Sequence, residues 1–202
     1  MGNYLIMAKK ESFIWNLISV VIFLILFSVM VVKTFPLLER KYIYPIKYSE
    51  EVLFYSNEYN LDANLVFSVI KTESSFNERA ESEKGAKGLM QITDNTAEYI
   101  SKLLGVSEYD VYLPKTNIKF GCFYLRLLLD KFGSEKTALC AYNAGEGNVA
   151  KWLKNNQYSI DGVELSFIPY KETEGYIRKI YKSWAKYEKL YGNILDKSKK
   201  FE

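Results

Sequence analysis

The sequence has no histidine and little cysteine or proline, and these shortages narrow its possible chemistry. Without histidine there is no imidazole-based catalytic triad, no common histidine-ligated zinc site and no imidazole acid or base. Carboxylates would have to carry any acid–base catalysis. The chain also lacks a dense basic block, because its 27 Lys and Arg are spread along the sequence against 24 Asp and Glu. We therefore expect no nucleic-acid partner.

The two cysteines, Cys122 and Cys140, lie at apolar positions within predicted helices. Their spacing fits neither a zinc ribbon nor a redox CxxC motif. We predict two buried free thiols, while a disulfide remains open in an oxidising compartment. We expect neither a metal nor an organic cofactor.

One uncharged run, residues 13–32, reads FIWNLISVVIFLILFSVMVV. About 20 apolar residues at a rise of 1.5 Å match the roughly 30 Å of a bilayer's hydrocarbon core. The run is longer than the apolar part of a signal peptide, and no small-residue cleavage site follows it, so an uncleaved transmembrane anchor is favoured over a cleaved signal. Pro36 and Pro45 predict a connector that cannot continue the membrane helix.

Basic residues flank this predicted anchor unequally. Lys9 and Lys10 precede it, and more basic residues follow it: Lys33, Arg40, Lys41 and Lys47. Taken alone, the positive-inside rule favours a cytoplasmic C-terminal region. That preference conflicts with the location implied by the motifs described below.

From Ser49 onward the pattern predicts a mainly α fold. Asp62 is a suitable N-cap for the segment ANLVFSVIKTES, whose last turn contains Glu73. Gly105 and Gly133 mark the ends of two further predicted helices. The other predicted helices follow Ser49, Ser134 and Asn148 and begin near Lys171. No series of strands and no internal repeat is predicted.

Glu73 is the first candidate for acid–base chemistry. At the C-terminal end of a helix it faces the negative end of the helix dipole, and it lies close to apolar Phe76. Both features disfavour the ionised carboxylate. A carboxylic acid that stays protonated near neutral pH is what a glycosidic leaving group needs. Position alone also fits an ordinary solvated glutamate, which is the commoner case.

Three motifs carry a resemblance to a known family. The first is ESSFNERAESEKGAKGLMQI, residues 73–92, which fits the pattern E-S-x-F-x-x-x-A-x-S-x-x-G-A-x-G-L-M-Q-I at every fixed place. AYNAGEGNV (141–149) and IPYKETEGYIRKI (168–180) follow in order. Together they resemble the catalytic domains of lytic transglycosylases of the soluble type, within the lysozyme-like superfamily. The resemblance covers roughly residues 47–190 and departs from the usual pattern at Glu174, where many members carry Arg.

This resemblance implies roles for particular residues. Glu73 would be the sole catalytic acid and base. The other positions would surround the substrate: Ser82 beside the carboxylate, Met90 and Gln91 along the glycan cleft, Tyr142 and Asn143 on its opposite wall, and Glu172 and Tyr176 at the back. On residue type alone, Tyr142 and Asn143 also fit a loop between helices, and Tyr176 also fits an apolar core position.

The implied reaction cleaves peptidoglycan between N-acetylmuramic acid and N-acetylglucosamine and leaves a 1,6-anhydro sugar without consuming water. A hydrolytic muramidase remains an alternative, because Glu81, Glu83 or Asp94 could supply the second carboxylate that hydrolysis requires. A non-catalytic peptidoglycan-binding scaffold of an envelope complex is another.

Taken together, these features predict four segments. They are an N-terminal tail and transmembrane anchor (1–33), a juxtamembrane linker (34–46), a lysozyme-like helical catalytic domain (47–191) and a polar C-terminal tail (192–202). We expect a single-pass membrane protein whose catalytic domain lies on the extracytoplasmic side, where the peptidoglycan glycan strands are.

Overall fold

The computed structural model describes the backbone of residues 2–198 and the side chains of residues 15–192 and 195. The chain divides into two compact units, Met1–Pro45 and Ile46–Glu202. The first unit is one long helix, and the second contains the three motifs. Each unit is described by itself.

The first unit consists of helix α1, Gly2–Leu38, followed by a π-helical segment, Glu39–Ile43. The prediction that Pro36 cannot continue this helix is wrong. A proline only two residues from a helix end removes few backbone hydrogen bonds, and a π-helical segment follows directly, with the wider i→i−5 bond from Tyr44 N to Glu39 O at 2.8 Å. Within the described residues, Trp15–Ile43 is long enough to cross a membrane and contains an 18-residue window with a mean hydropathy of 2.6.

The second unit is mainly helical, as predicted, with one small two-stranded ladder. Its elements, in chain order, are α2 Ser49–Glu58, α3 Ala63–Ser74, β1 Ala86–Lys87, β2 Ile92–Thr93, α4 Asp94–Leu104, α5 Pro114–Phe132, α6 Glu135–Ala144, α7 Glu146–Leu153 and α8 Lys171–Ser198. The predicted caps are confirmed at several ends. Asp62 accepts a hydrogen bond from Asn64 N at 2.7 Å, and Gly105 and Gly133 adopt positive φ directly after α4 and α5.

Helix α3 lies in the centre of this unit, because residues 63–70 are all buried. It packs antiparallel to α8: Trp184 Nε1 donates to Asp62 Oδ2 at 2.8 Å near the start of α3, and Tyr176 reaches the end of α3. The rings of Phe67 and Tyr187 also stack across the two helices, with centroids 5.5 Å apart. The two helices therefore hold the last turn of α3 in a fixed position.

The ladder is a feature that the sequence pattern did not predict. Ala86 pairs with Thr93 and Lys87 with Ile92 in antiparallel register. Strands of two residues are too short to show an alternating pattern in a sequence. The ladder closes the loop that carries the glycine-rich end of the first motif.

Two further predictions concern the end of the chain and the cysteines. The predicted polar tail from residue 192 differs from the structure, because α8 continues to Ser198 and Leu195 is buried; residues 199–202 lie outside the described residues. Cys122 and Cys140 are both buried and free, so the prediction of two buried thiols is confirmed. Burial raises the pKa of both thiols, that of Cys140 to about 12.

Candidate active site

Glu73 stands in the last turn of α3, and the chain leaves that helix through an unusual turn. Ser75 and Phe76 both have left-handed backbone conformations, with φ of 51° and 65°. Such a conformation is uncommon for residues with side chains, and two in succession are held by the surrounding packing. Phe76 is buried, and Ser74 Oγ donates to Leu89 O at 2.8 Å, which joins the end of α3 to the glycine-rich loop.

The Glu73 carboxyl accepts a hydrogen bond from the Tyr176 hydroxyl, which donates to Oε1 at 2.7 Å. Burial raises the pKa of Glu73 to about 7, and the bond from Tyr176 works in the opposite direction by stabilising the carboxylate. Among the described residues no second carboxylate contributes to this shift. The pKa of Glu73 is thus set by an apolar environment and not by repulsion from a neighbouring acid.

Two tyrosines remain neutral beside this carboxyl. Burial first, and then the negative charge of Glu73, raise the pKa values of Tyr142 and Tyr176 well above the usual range. The Tyr142 hydroxyl donates to Met90 O at 2.8 Å. Both hydroxyls therefore stay protonated near neutral pH and can act as hydrogen-bond donors.

The glycine-rich loop is fixed from behind by Asn117 of α5. Its side-chain oxygen accepts from Met90 N at 2.6 Å, and its amide nitrogen donates to Lys87 O and Val111 O. Asn117 is fully buried. Gly88 lies against it with φ of 75°, where a Cβ would overlap the amide group of Asn117. This one buried side chain thus holds the loop at two main-chain atoms, Lys87 O and Met90 N.

Met90 does not lie where the glycan cleft was predicted. Its side chain is fully buried and lies against Gly121 in the middle of α5, where a Cβ would come within 2.7 Å of Met90 Cβ. It supports the loop from the core instead of facing a ligand. Gln91, with φ of 51°, turns the other way and lines a cavity, and its amide donates to Gly88 O at 2.9 Å and Ala80 O at 3.2 Å.

That cavity has a volume of about 420 Å³. Its walls carry hydroxyls, amides and tyrosine rings, which can form hydrogen bonds and pack against a polar ligand. The polar and aromatic lining residues are Lys84, Gln91, Thr93, Thr96, Tyr124, Tyr142, Asn143, Asn148, Tyr170, Glu172 and Thr173. Tyr142 lines this cavity and also interacts electrostatically with Glu73, so Glu73 lies close to the cavity wall.

Of the remaining predicted residues, Asn143 and Glu172 line the same cavity, whereas Ser82 is not among its lining residues. Asn143 Oδ1 accepts from Thr173 Oγ1 at 2.8 Å, so α6 and the start of α8 meet at the wall. Ser82 is exposed, and its Oγ accepts a hydrogen bond from Ala86 N at 3.0 Å, which stabilises a turn. Glu172 differs from its predicted place at the back of the site. It lies at the cavity mouth, 73% exposed, with its carboxylate 3.6 Å from the ammonium of Lys84.

Lys84 and Tyr124 were missed as candidates. Tyr124 lines the cavity and its ring lies 5.5 Å from that of Tyr142, while burial raises its pKa to about 12. Nothing in the local pattern distinguishes it from other residues of α5. Gly121, one turn earlier, was a usable signal, because a glycine inside a helix often marks a close approach by another segment.

The acids considered for a hydrolytic mechanism are engaged elsewhere or exposed. Glu81 Oε2 accepts the Tyr112 hydroxyl at 2.8 Å, and both oxygens of Asp94 accept from Lys87 Nζ at 2.8 and 2.9 Å. Glu83 is exposed in the turn after Ser82. Within the described part of the chain, Glu73 is thus the acid that desolvation keeps partly protonated near neutral pH, and it lies beside Tyr142 of the cavity wall.

Comparison with known proteins agrees with this geometry. Residues 51–163 match the model of the transglycosylase SLT domain, which is more than half of the chain. The chain belongs to the transglycosylase SLT domain family. The predicted family is therefore confirmed, and the SLT domain lies in the helical second unit.

Proteins with an SLT domain of similar sequence include soluble and membrane-bound enzymes. The chain is 32% identical over 155 residues to the soluble lytic murein transglycosylase of Salmonella typhimurium, covering 74% of this chain and 24% of that one. It is 30% identical over 166 residues to the membrane-bound lytic murein transglycosylase C of Haemophilus ducreyi, covering 70% and 45%. The chain thus spans about a quarter of the length of the first relative and under half of the second.

A solved structure confirms the predicted fold. The crystal structure of the 70-kDa soluble lytic transglycosylase of Escherichia coli aligns with a TM-score of 0.63 and 28% sequence identity. The alignment covers 72% of this chain and 24% of that one. The SLT domain here is thus similar in fold to one segment of a larger protein.

Proposed function

We propose that this protein is a peptidoglycan lytic transglycosylase. It would cleave the β-1,4 bond between N-acetylmuramic acid and N-acetylglucosamine and form 1,6-anhydro-N-acetylmuramic acid. The observation that carries the proposal is one half-buried carboxyl, Glu73, whose pKa is raised to about 7 by desolvation with no second acid contributing. The relatives named as lytic murein transglycosylases support the choice of reaction.

The reaction would use Glu73 twice. In the first step the protonated carboxyl donates its proton to the glycosidic oxygen, the bond to C1 of the muramic acid breaks, and the sugar's own N-acetyl group supports the cationic C1. The ionised carboxylate then removes the proton from the C6 hydroxyl, whose oxygen bonds to C1. An attack within one sugar gains from proximity, so one carboxyl suffices as acid and base.

The neighbouring tyrosines suit both steps. Tyr176 donates to Glu73 at 2.7 Å and so stabilises the carboxylate after it has given up its proton. A pKa near 7 leaves a large protonated fraction for the first step without making the proton hard to release. The cavity of about 420 Å³ beside Tyr142 would hold sugar rings next to the bond that is cleaved.

Product analysis tests the reaction. The purified full chain in detergent is incubated with peptidoglycan, and the fragments are examined by mass spectrometry. Ends that are lighter by one water than reducing muramic acid are the expected result. Reducing ends alone would show a muramidase, and intact strands would favour a non-catalytic scaffold.

A pH profile provides a further prediction. Because the first step needs protonated Glu73, kcat/KM should fall as the pH rises through the pKa of about 7. Tyr176→Phe removes the bond that lowers this pKa, so the falling limb should move to higher pH. Tyr181→Phe is the matched control, since it removes a tyrosine–carboxyl contact of the same helix at Glu135. A limb that stays in place in Tyr176→Phe would contradict the assignment to Glu73.

Membrane attachment forms the second part of the proposal. Trp15–Ile43 is apolar and long enough to span a bilayer, and one relative is named as membrane-bound. We infer a single-pass anchor with the SLT domain on the extracytoplasmic side, as the substrate requires, although the basic residues favour the reverse. Protease added to intact spheroplasts should digest the SLT domain, and protection of that domain would contradict this orientation.

A further inference from the structure

The charges at the cavity are confined to its mouth. Of the described residues that line it, only Lys84 and Glu172 belong to the charged residue types; the others are amides, hydroxyls, tyrosines, small residues and Ile92. The ammonium and the carboxylate come from different walls. Lys84 lies in the turn held by the bonds from Gly85 N and Ala86 N to Ser82, and Glu172 lies in the first turn of α8.

This pair contributes little to stability. The two side chains are 82% and 73% exposed, and the nitrogen–oxygen distance is 3.6 Å, longer than a direct hydrogen bond. Exposed ion pairs of this kind are screened by water and salt. Lys84 can therefore exchange Glu172 for another anion at small cost, and its position at the rim suggests a ligand that projects from the cavity.

The chemistry of the substrate indicates which anion that is. N-acetylglucosamine is uncharged, and so is N-acetylmuramic acid when its lactyl group is amide-linked to a peptide. The charges of peptidoglycan then lie on the peptide, which has carboxylates and branches away from the sugar chain. A neutral cavity with one cation at its mouth matches a neutral glycan that carries an anionic branch.

We propose that Lys84 binds a carboxylate of the peptide attached to the muramic acid and so selects strands that still carry charged peptides. This proposal rests on the proposed function, because it takes peptidoglycan as the ligand. It makes Lys84 a specificity-determining residue. Glu172 holds the ammonium in place when no strand is bound and competes with the peptide for it.

The experiment compares two glycan oligomers of equal length. Both carry the same stem peptides, but the peptide carboxylates are free in one and converted to amides in the other. Binding is measured by calorimetry with the full chain in detergent, in a Glu73→Gln background, so that affinity is obtained without turnover. The oligomer with free carboxylates should bind roughly tenfold more tightly, the equivalent of about 1.4 kcal/mol.

The variants separate Lys84 from other lysines. Lys84→Met should bring the ratio of the two affinities close to one. Glu172→Gln should increase the ratio, because the competing carboxylate is gone. Lys102→Met is the matched control: it breaks another exposed Lys–Glu pair, outside the cavity lining, and should keep the ratio. The ratio should also fall as salt is added.

Three results would overturn the proposal. They are equal affinity for both oligomers when Lys84 is intact, a ratio that survives in Lys84→Met, and an equal loss for both oligomers in that variant, which would indicate contact with sugar. Failure of the proposed function is a different result, since it appears as a lack of anhydro products from the wild-type chain and not in these affinities.

Discussion

Glu73→Gln should abolish formation of anhydro ends, with kcat lowered by at least about a thousandfold. Glutamine keeps the shape of the side chain but has no proton to give to the glycosidic oxygen and cannot accept one from the C6 hydroxyl. Both steps depend on the same carboxyl, and we expect no other residue described at the cavity to replace it. The measurement is release of anhydro-muramic products from purified peptidoglycan, followed by mass spectrometry over time.

A matched variant removes a carboxyl from the same stretch of chain. Glu83→Gln changes an exposed glutamate in the turn after Ser82 and should retain activity close to that of the wild type. If Glu73→Gln cleaves strands at an undiminished rate, the acid–base role of Glu73 is refuted. If Glu83→Gln is the inactive variant, a second carboxylate takes part and a hydrolytic mechanism must be considered.

A cooperative thermal unfolding transition would show that Glu73→Gln is folded. The difference in stability between this variant and the wild type should depend on pH. The pKa of Glu73 is raised from 4.5 to about 7 in the folded protein. Its protonated form is therefore favoured by folding, and that contribution is lost as the pH rises from about 4.5 through 7. Above pH 7 the wild type should be less stable than Glu73→Gln by up to roughly 3 kcal/mol. Thermal unfolding at pH 5 and pH 8 should show a difference that grows with pH.

Gly88→Ala should produce the largest loss of stability among single changes in the first motif. A Cβ at this position would lie 2.8 Å from Val111 O and closer still to the side chain of Asn117, in a backbone conformation with φ of 75°. Strain and overlap together should lower the free energy of unfolding by about 3 kcal/mol or more. Activity should fall as well, because Asn117 also holds Met90 N and so the position of Gln91.

Gly85→Ala separates the two effects. Gly85 has the same φ of 75°, but a Cβ there would meet nothing within 4 Å. It should therefore lose only the conformational term, about 1 kcal/mol. Denaturant unfolding of the two variants side by side measures the contribution of the close approach. Equal losses would mean that the Asn117 side chain moves away and that the loop is less tightly held than its hydrogen bonds suggest.

Local features of the sequence were sufficient to predict most helices. Asp62 as an N-cap and Gly105 and Gly133 as C-caps act within a few residues of the helix ends, and the observed ends agree. Pro36 shows where a local rule fails. The cost of a proline depends on how much helix follows it, and the π-helical segment after Leu38 was not visible in the pattern.

The environment of Glu73 could be predicted only in part. Its helix-end position and the neighbouring Phe76 indicated a raised pKa, but the donor at 2.7 Å comes from Tyr176, 103 residues later in the chain. The motif also did not specify side-chain directions. Met90 and Gln91 are adjacent, yet the left-handed conformation of Gln91 lets one side chain enter the core while the other lines the cavity. Such directions follow from tertiary packing.

The buried thiols of Cys122 and Cys140 give this protein a built-in reporter of unfolding. A thiol reagent attacks the thiolate, and burial both shields the sulfur atoms and raises their pKa values, that of Cys140 to about 12. Labelling therefore requires the helical packing around each sulfur atom to open transiently. The rate of thiol modification would measure that opening without heat or denaturant and would allow the glycine variants to be compared.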